Sequence, residues 1–241
     1  MAAIFDPRLD ILPEPQRILW PELDAVPSDF VLYGGTALAL QLGHRVSEDF
    51  DFFSSSGFDP NRLRPQLPFL SDLDPGDPDA WVQYKRDNLE AFVERGGPVK
   101  VAFFGGLDTL RRVENPRRGN GSTVLIASLL DLAGMKMRVI QARANWKDYV
   151  DIHALALQGI DLSKALGSAK AIDRNFDPAI SLRALQFFGD GTLSRVPASM
   201  QKDLTRWAGA VDLTKLPHFH SHQSLSSREV WIDDRYSSEF G

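Results

Sequence analysis

The spacing of apolar positions changes period along the chain. "FVLY" (30–33) is a short continuous apolar run of the kind a buried strand makes. "GGTALALQLGHR" follows as a turn and a helix, with Ala37, Leu38, Leu40 and Leu42 supplying its apolar content. "DFDFF" (49–53) alternates with period two and predicts the next strand. "SSSGFDPNRLRPQL" predicts a loop running into a helix that ends near Phe69 and Leu70. "DPGDPDAW" is turn chemistry, and the strand pattern returns from Val82 to Phe104. There "NLEAFV" and "VKVAFF" flank "ERGGP", a hairpin turn centred near Gly96.

From Ser122 the pattern is mostly helical. "ASLLDLAGMKMRVIQARANWKDYVDIHALALQG" reads as one long amphipathic stretch ending at Gly159. "DLSKALGSAKAID" and "DPAISLRALQFFG" predict two more helices, N-capped by Asp161 and Asp177, the second stopped at Gly189. "VPASMQKDLTRWAGAVDL" adds another. The first 29 residues carry five prolines (Pro7, Pro13, Pro15, Pro21, Pro27) and predict short helical turns covering an edge of the core. The order predicts an α+β fold: a mixed sheet flanked by helices, carrying a helical C-terminal subdomain, with a cleft between them. The expected divisions are a covering segment 1–29, a core 30–112, a helical subdomain 113–215 and a tail 216–241, with the boundary in the basic connection "RRVENPRRGNGS".

Composition narrows the function classes. The chain has no cysteine, so it has neither a disulfide framework nor a thiolate metal site. A net charge of −5 argues against an electrostatic nucleic-acid binder as a whole. No apolar run approaches the ~20 residues that span a bilayer, and "MAAIFDPRLD" lacks the basic and apolar regions of a secretory signal, so no membrane association and a cytoplasmic protein are expected.

Two like charges inside an aromatic strand call for a reason. Residues two apart on a strand share a face, so Asp49 and Asp51 project together while Phe50 and Phe52 bury on the other side. Their Cα atoms are about 6–7 Å apart, close enough for the two carboxylates to clasp one divalent cation. Mg²⁺ suits oxygen ligands and is commonly shared with substrate phosphates. One helix earlier, Gly34 and Gly35 let a phosphate approach free backbone N–H groups at a positive helix end, and the Thr36 hydroxyl is a further donor. Either feature alone is a common structural turn or solvated strand. In the order strand, Gly-Gly-Thr, helix, Asp-x-Asp strand, they suit phosphoryl or nucleotidyl transfer.

These residues resemble the first motif of the DNA polymerase β-like nucleotidyltransferase superfamily. "GGTALALQLGHRVSEDFDFF" is similar to the branch formed by the AbiEii/AbiGii abortive-infection toxins of type IV toxin–antitoxin systems, in which the glycine pair, an Arg-x-Ser before the acids and a following aromatic recur. Here those are Gly34, Gly35, Arg45, Ser47 and Phe52. "DLAGMKMRVIQARANWKDYVDI" is similar to that family's helix with a lysine, an arginine and a Lys-Asp pair, and the likeness spans most of residues 30–190. It implies a Mg²⁺- (or Mn²⁺-) dependent transfer of a nucleotidyl group from an NTP to a tRNA or protein acceptor. It also implies a cognate antitoxin, and site residues Arg45, Ser47, Lys136, Lys147 and Asp148 beside the glycines and aspartates.

Lys136, Arg143 and Lys147 fall on one stripe of the predicted helix, which is either a row of charges meeting triphosphate oxygens or a solvated face with local ion pairs; Asp148 and Asp151 could orient them or pair with Arg45. The superfamily's catalytic members usually carry a third carboxylate on a later strand. The matching strand here is "VKVAFF", with Ala102 in the acid's place. A hairpin centred near Gly96 would set Glu90 opposite Ala102, so Glu90 is either the substitute third carboxylate or an ordinary surface strand residue, and the register decides. Ala102 also motivates an alternative expectation, a degenerate transferase that binds nucleotide or a partner protein without turnover. His218, His220 and His222 could share one strand face for a metal, but without supporting ligands they read as a solvated tail. The Arg111–Arg118 run reads as a solvated linker and His153 as a packing residue, while His44 could touch a nucleotide or cap its helix. Trp81, Trp146, Trp207 and Trp231 are too scattered for a stacking platform.

Overall fold

The computed structural model describes residues 3–226 apart from 72, 75, 78 and 79. Alternation and turn chemistry produce the strands β1 (Ile4–Phe5), β2 (Val31–Tyr33), β3 (Asp49–Phe53), β4 (Trp81–Lys85), β5 (Asn88–Glu94), β6 (Pro98–Phe104), β7 (Arg117–Gly119) and β8 (Leu125–Ile126). They form one mixed sheet of order β1-β7-β8-β2-β3-β6-β5-β4. β3 is central: it pairs antiparallel with β2 and parallel with β6. The helices are α1 (Glu14–Leu19), α2 (Gly34–Leu42), α3 (Pro60–Leu63), α4 (Pro68–Ser71), α5 (Leu129–Ala142), α6 (Trp146–Leu157), α7 (Leu162–Ile172), α8 (Pro178–Ala184) and α9 (Ala198–Ala210). The α+β architecture, a mixed sheet flanked by helices with the helical elements later in the chain, is the one the pattern predicts.

The buried side of β3 is aromatic. Phe50 and Phe52 are fully buried; Phe52 stacks on Phe103 of β6, and Trp20 leans on Phe50. Burying a side chain of this size contributes about 2–3 kcal/mol, so these rings anchor the strand that carries the aspartates. In the N-terminal segment Leu19, Trp20 and Leu23 are buried in the core, and β1 joins the sheet edge beside β7. The β5–β6 hairpin turns at Gly96 and Gly97, both with positive φ, and sets Glu94 opposite Pro98. Asp161 and Asp177 cap α7 and α8 by accepting from Lys164 N and Ala179 N.

Several elements differ from the sequence pattern. The long stretch to Gly159 is two helices: α5 ends at Ala142, Arg143 is extended, and Asn145 starts α6 by accepting from the Lys147 N–H. Asn is among the best N-caps, and here its local bond outweighs helical continuity. Lys136, Arg143 and Lys147 therefore meet around a bend rather than along one stripe. The single helix foreseen before Leu70 is broken by Pro65 and Pro68 into α3, a 3₁₀ turn and α4. α8 stops at Ala184, short of Gly189. β7 and β8 lie beyond residue 112 yet belong to the sheet, and one buried apolar cluster runs from Leu32 and Phe52 through Met137 to Leu166 and Leu204. Part of the tail is packed rather than solvated: His222 bridges Arg112, Leu225 is buried, and the Leu225 N–H donates to Ser55 Oγ. Among the described residues no His/Asp/Glu cluster suited to a metal forms, at the histidines or elsewhere. Trp231 lies outside the described residues.

Candidate nucleotidyl-transfer site

The site grows out of the β2–α2–β3 turn. Tyr33 pairs with Asp51 across β2 and β3, so the next residue, Gly34, begins α2 directly against the Asp51 carboxylate. A Cβ on Gly34 would stand 2.6 Å from Asp51 Oδ2, and its φ of +76° is left-handed, so glycine is required on both counts. No side chain caps α2, and its first turn carries no acidic residue. Its terminal N–H groups thus present a positive end beside the aspartates.

Gly35 is required for a different reason. A Cβ there would run into the Arg45 guanidinium and stand 2.9 Å from Ser47 Oγ. Arg45 and Ser47 thus pack beneath the glycine turn and shape it from below. The Thr36 hydroxyl is not available to a phosphate: the residue is buried, and the hydroxyl donates to the Asp49 carbonyl, tying α2 to the start of β3. This corrects its predicted role from phosphate donor to positioning group. The hydroxyl on a helix's first turn found a nearer acceptor in the adjacent strand.

Asp49 and Asp51 share one face of β3, as alternation requires. Burial, and then the Asp49 charge, push the Asp51 carboxyl up to about 6; Lys100 and Lys136 offset part of that. The ladder places Asp51 beside Ala102 and Ala102 beside Glu90. This is the register that brings Glu90 onto the aspartate face. Its Oε2, however, is ion-paired to Lys100 Nζ at 2.8 Å. Lys100 itself pairs with Asp49 across β3 and β6. Burial would lower the Lys100 ammonium, but Glu90, Asp49 and Asp51 hold it above its ordinary value.

The helical half meets this face through a buried ion network centred on Asp151. Its carboxylate takes both Arg45 Nε at 2.6 Å and Arg45 Nη2 at 2.8 Å, His44 Nε2 at 2.7 Å and Lys136 Nζ at 2.6 Å. Lys136 also reaches Asp148 Oδ1 at 2.7 Å, and Arg143 Nε reaches Asp148 Oδ2 at 2.9 Å. Burial alone would raise the Asp151 carboxyl, but Lys136, His44 and Arg45 together hold it well below the usual range. Asp148 is lowered in the same way by Lys136 and Arg143. Arg45 and Lys136 are thus both engaged and nearly sealed from solvent, the Arg45 side chain 11% exposed and that of Lys136 8%. The accessible cations at the rim are Arg143, 59% exposed, and Lys147, 40% exposed and 3.6 Å from Glu48.

Every predicted site residue therefore falls in one region, with two reassignments: Thr36 positions β3, and Arg45 with Lys136 belongs to the buried network. Lys100 and the central place of Asp151 went unrecognised in the sequence. Lys100 was legible from the same hairpin register as Glu90, since it lies two residues before Ala102 on one face. His153, read as packing, stacks on Trp207 and reaches Asp203 Oδ2 at 3.2 Å.

The profile of the AbiEii family, described as the nucleotidyl transferase AbiEii toxin of a type IV toxin–antitoxin system, matches residues 17–220. The chain belongs to this family. It is similar to an uncharacterized protein of Aquifex aeolicus, 35% identical over 166 residues that cover 68% of this chain and 75% of the other. It is also similar, at 19% identity and a TM-score of 0.46, to the crystal structure of an H. pylori protein proposed to be a nucleotidyltransferase; the match covers 81% of this chain and 92% of that one. The mixed sheet carrying Asp49 and Asp51 after the glycine turn is thus the sheet of a nucleotidyltransferase-family protein, and no helix among the described residues is long and apolar enough to cross a membrane.

Proposed function

We propose that this protein transfers a nucleotidyl group from an NTP to an RNA or protein acceptor, with Mg²⁺ or Mn²⁺ as cofactor, as the toxin opposite a cognate antitoxin. The observation that carries this reading is geometric: the Asp51 carboxylate shares a face of β3 with Asp49 and lies directly against Gly34 at the uncapped start of α2. Two half-compensated carboxylates facing a helix N-terminus form a place for one cation and one phosphate chain together. Asp49 and Asp51 would hold the metal; when bound it would supply charge neutralisation at the reacting phosphate.

The chain's own residues do the positioning. Gly34 and Gly35 bring backbone N–H groups to the phosphates. Ser47 and Arg45 support that turn from beneath, and Arg143 and Lys147 draw the triphosphate in from the rim. The acceptor oxygen forms its bond to the α-phosphorus as the bond to the bridging oxygen breaks, and pyrophosphate leaves with that electron pair. Glu90 is the carboxylate on this face not committed to the metal, and it would take the acceptor's proton once Lys100 turns to the departing charge.

Calorimetry tests the site. NTP binding that requires Mg²⁺ and vanishes in Asp49→Ala with Asp51→Ala is expected; unchanged binding in that double variant would refute it. A second reading, nucleotide binding without turnover, is favoured by Ala102 and the Lys100–Glu90 pair. Labelled-NTP incorporation in a cell extract, lost in Asp49→Asn, excludes that second reading.

A further inference from the structure

Three carboxylates share one side of the central strands, Asp49 exposed and Asp51 and Glu90 more enclosed. Asp49 lies beside Lys100, and Asp51 is separated from Glu90 only by Ala102. Neighbouring strands are about 4.8 Å apart, so Glu90 sits about two strand spacings from Asp51. A two-metal site needs carboxylates that bridge both ions. The position that would bridge is Ala102, which is fully buried and offers no oxygen. The remaining carboxylate, Glu90, is closed by an ammonium at 2.8 Å. Among the described residues, no group of three metal-ligating side chains forms.

The charges agree with this arrangement. Lys136 is consumed by Asp148 and Asp151, so Lys100 is the lysine that contacts a carboxylate of the strand face. Three carboxylates and one ammonium leave two negative charges, which one divalent cation neutralises. A second cation would have to sit against the Lys100 ammonium, where like-charge repulsion opposes it.

We propose that Lys100 takes the place of a second metal ion, a built-in counter-charge that makes this a one-metal site. This rests on the transferase reading above. The ammonium is held by Glu90 in the resting protein and is within reach of phosphate charge that develops on the same face. Lys100 is a positioning residue for that charge, and its role is visible in metal stoichiometry independently of turnover.

The test is Mn²⁺ titration of the full chain with a non-hydrolysable NTP analogue, read by the electron-spin signal of free Mn²⁺, with the analogue alone as blank. The wild type should bind one Mn²⁺ per complex. Lys100→Met frees Glu90 and should bind a second ion, or bind Mn²⁺ at least tenfold more tightly; Lys100→Arg should stay at one. Ala102→Asp, which keeps the lysine and restores an oxygen at the bridging position, should also gain affinity for a second ion and covers the case in which Lys100→Met fails to fold. Two ions in the wild type, or Lys100→Met and Ala102→Asp both matching it, would overturn the proposal while leaving the transferase reading intact. No Mn²⁺ bound by the wild type would overturn both.

Discussion

Arg45 and Asp151 lie 106 residues apart and meet through two hydrogen bonds, Nε to Oδ1 at 2.6 Å and Nη2 to Oδ2 at 2.8 Å. This fork joins the loop that follows α2 to the middle of α6. It also places the guanidinium under Gly35, so the helical half sets the floor of the glycine turn. The network is internal: the Asp151 side chain has no exposed surface. A buried carboxylate with three cationic or imidazole partners is a joint whose removal strands every partner.

Asp151→Ala should therefore cost about 3–5 kcal/mol of stability, the range for breaking a buried ion pair. Asp151→Asn should cost less, since the amide oxygen can still accept one bond. Urea denaturation of the two variants checks this; a loss of under 1 kcal/mol for the alanine variant would show that the pairs are not coupled to folding.

Gly35→Ala tests the floor itself. The added methyl meets the Arg45 guanidinium, which its two bonds to Asp151 prevent from moving, and stands 2.9 Å from Ser47 Oγ. The turn must shift instead, and the N–H groups shift with it. NTP affinity should fall at least tenfold with the circular-dichroism spectrum unchanged. Rescue by Arg45→Lys, which removes the planar group that collides, is expected to be partial because the shorter cation loses the fork.

Much of this was legible in the sequence, for a physical reason. Period-two alternation in "DFDFF" and the Gly-Gly turn in "ERGGP" each fix geometry through local sterics, so the shared face of Asp49 and Asp51 and the pairing of Glu90 with Ala102 follow from short stretches. What was not legible depends on partners far along the chain. Sequence alone leaves the Thr36 hydroxyl free for a phosphate, because its acceptor, the Asp49 carbonyl, comes from another element. Lys136 looked like one of three cations on a helical stripe, because the break at Arg143 is decided by the Asn145 cap and its engagement by two aspartates of the next helix. Charge counts do not reveal which cations are already neutralised by the fold.

That distinction separates Lys136 from Arg143 experimentally. Arg143 is more than half exposed, and its guanidinium is held above its ordinary value first by the bond to Asp148, with Asp51 contributing. Arg143→Ala should cost about 1–2 kcal/mol, because the buried Asp148 carboxylate loses a solvent-facing partner but keeps Lys136, while raising the KM for NTP several-fold. Lys136→Met leaves Asp148 and Asp151 short of a partner in the interior and should destabilise by about 3 kcal/mol or more. If the two variants have the same melting temperature, the division into a buried network and an accessible rim is wrong.

The Asp51 carboxyl gives a pH test with a defined sign. Its ordinary value is 3.8, and in the folded protein it is pushed up to about 6, first by burial and then by Asp49. Between those values the folded state holds more protons than the unfolded state, so stability falls as pH rises through the window and stays low above it. Asp51→Asn removes the ionisation. With metal chelated, it should melt higher than the wild type at pH 7, by about 3–6 °C after allowance for partial solvent access. The gap should narrow below pH 6 and close only below the unfolded value of 3.8, where the wild-type carboxyl is protonated in both states. Adding Mg²⁺ at pH 7 should raise the wild-type melting temperature and leave Asp51→Asn largely unmoved, because the cation relieves the charge that the substitution has already removed. A variant less stable than the wild type at pH 7 without metal would mean that the Asp51 carboxylate is stabilised in the folded protein, and the strain attributed to the aspartate pair would be absent.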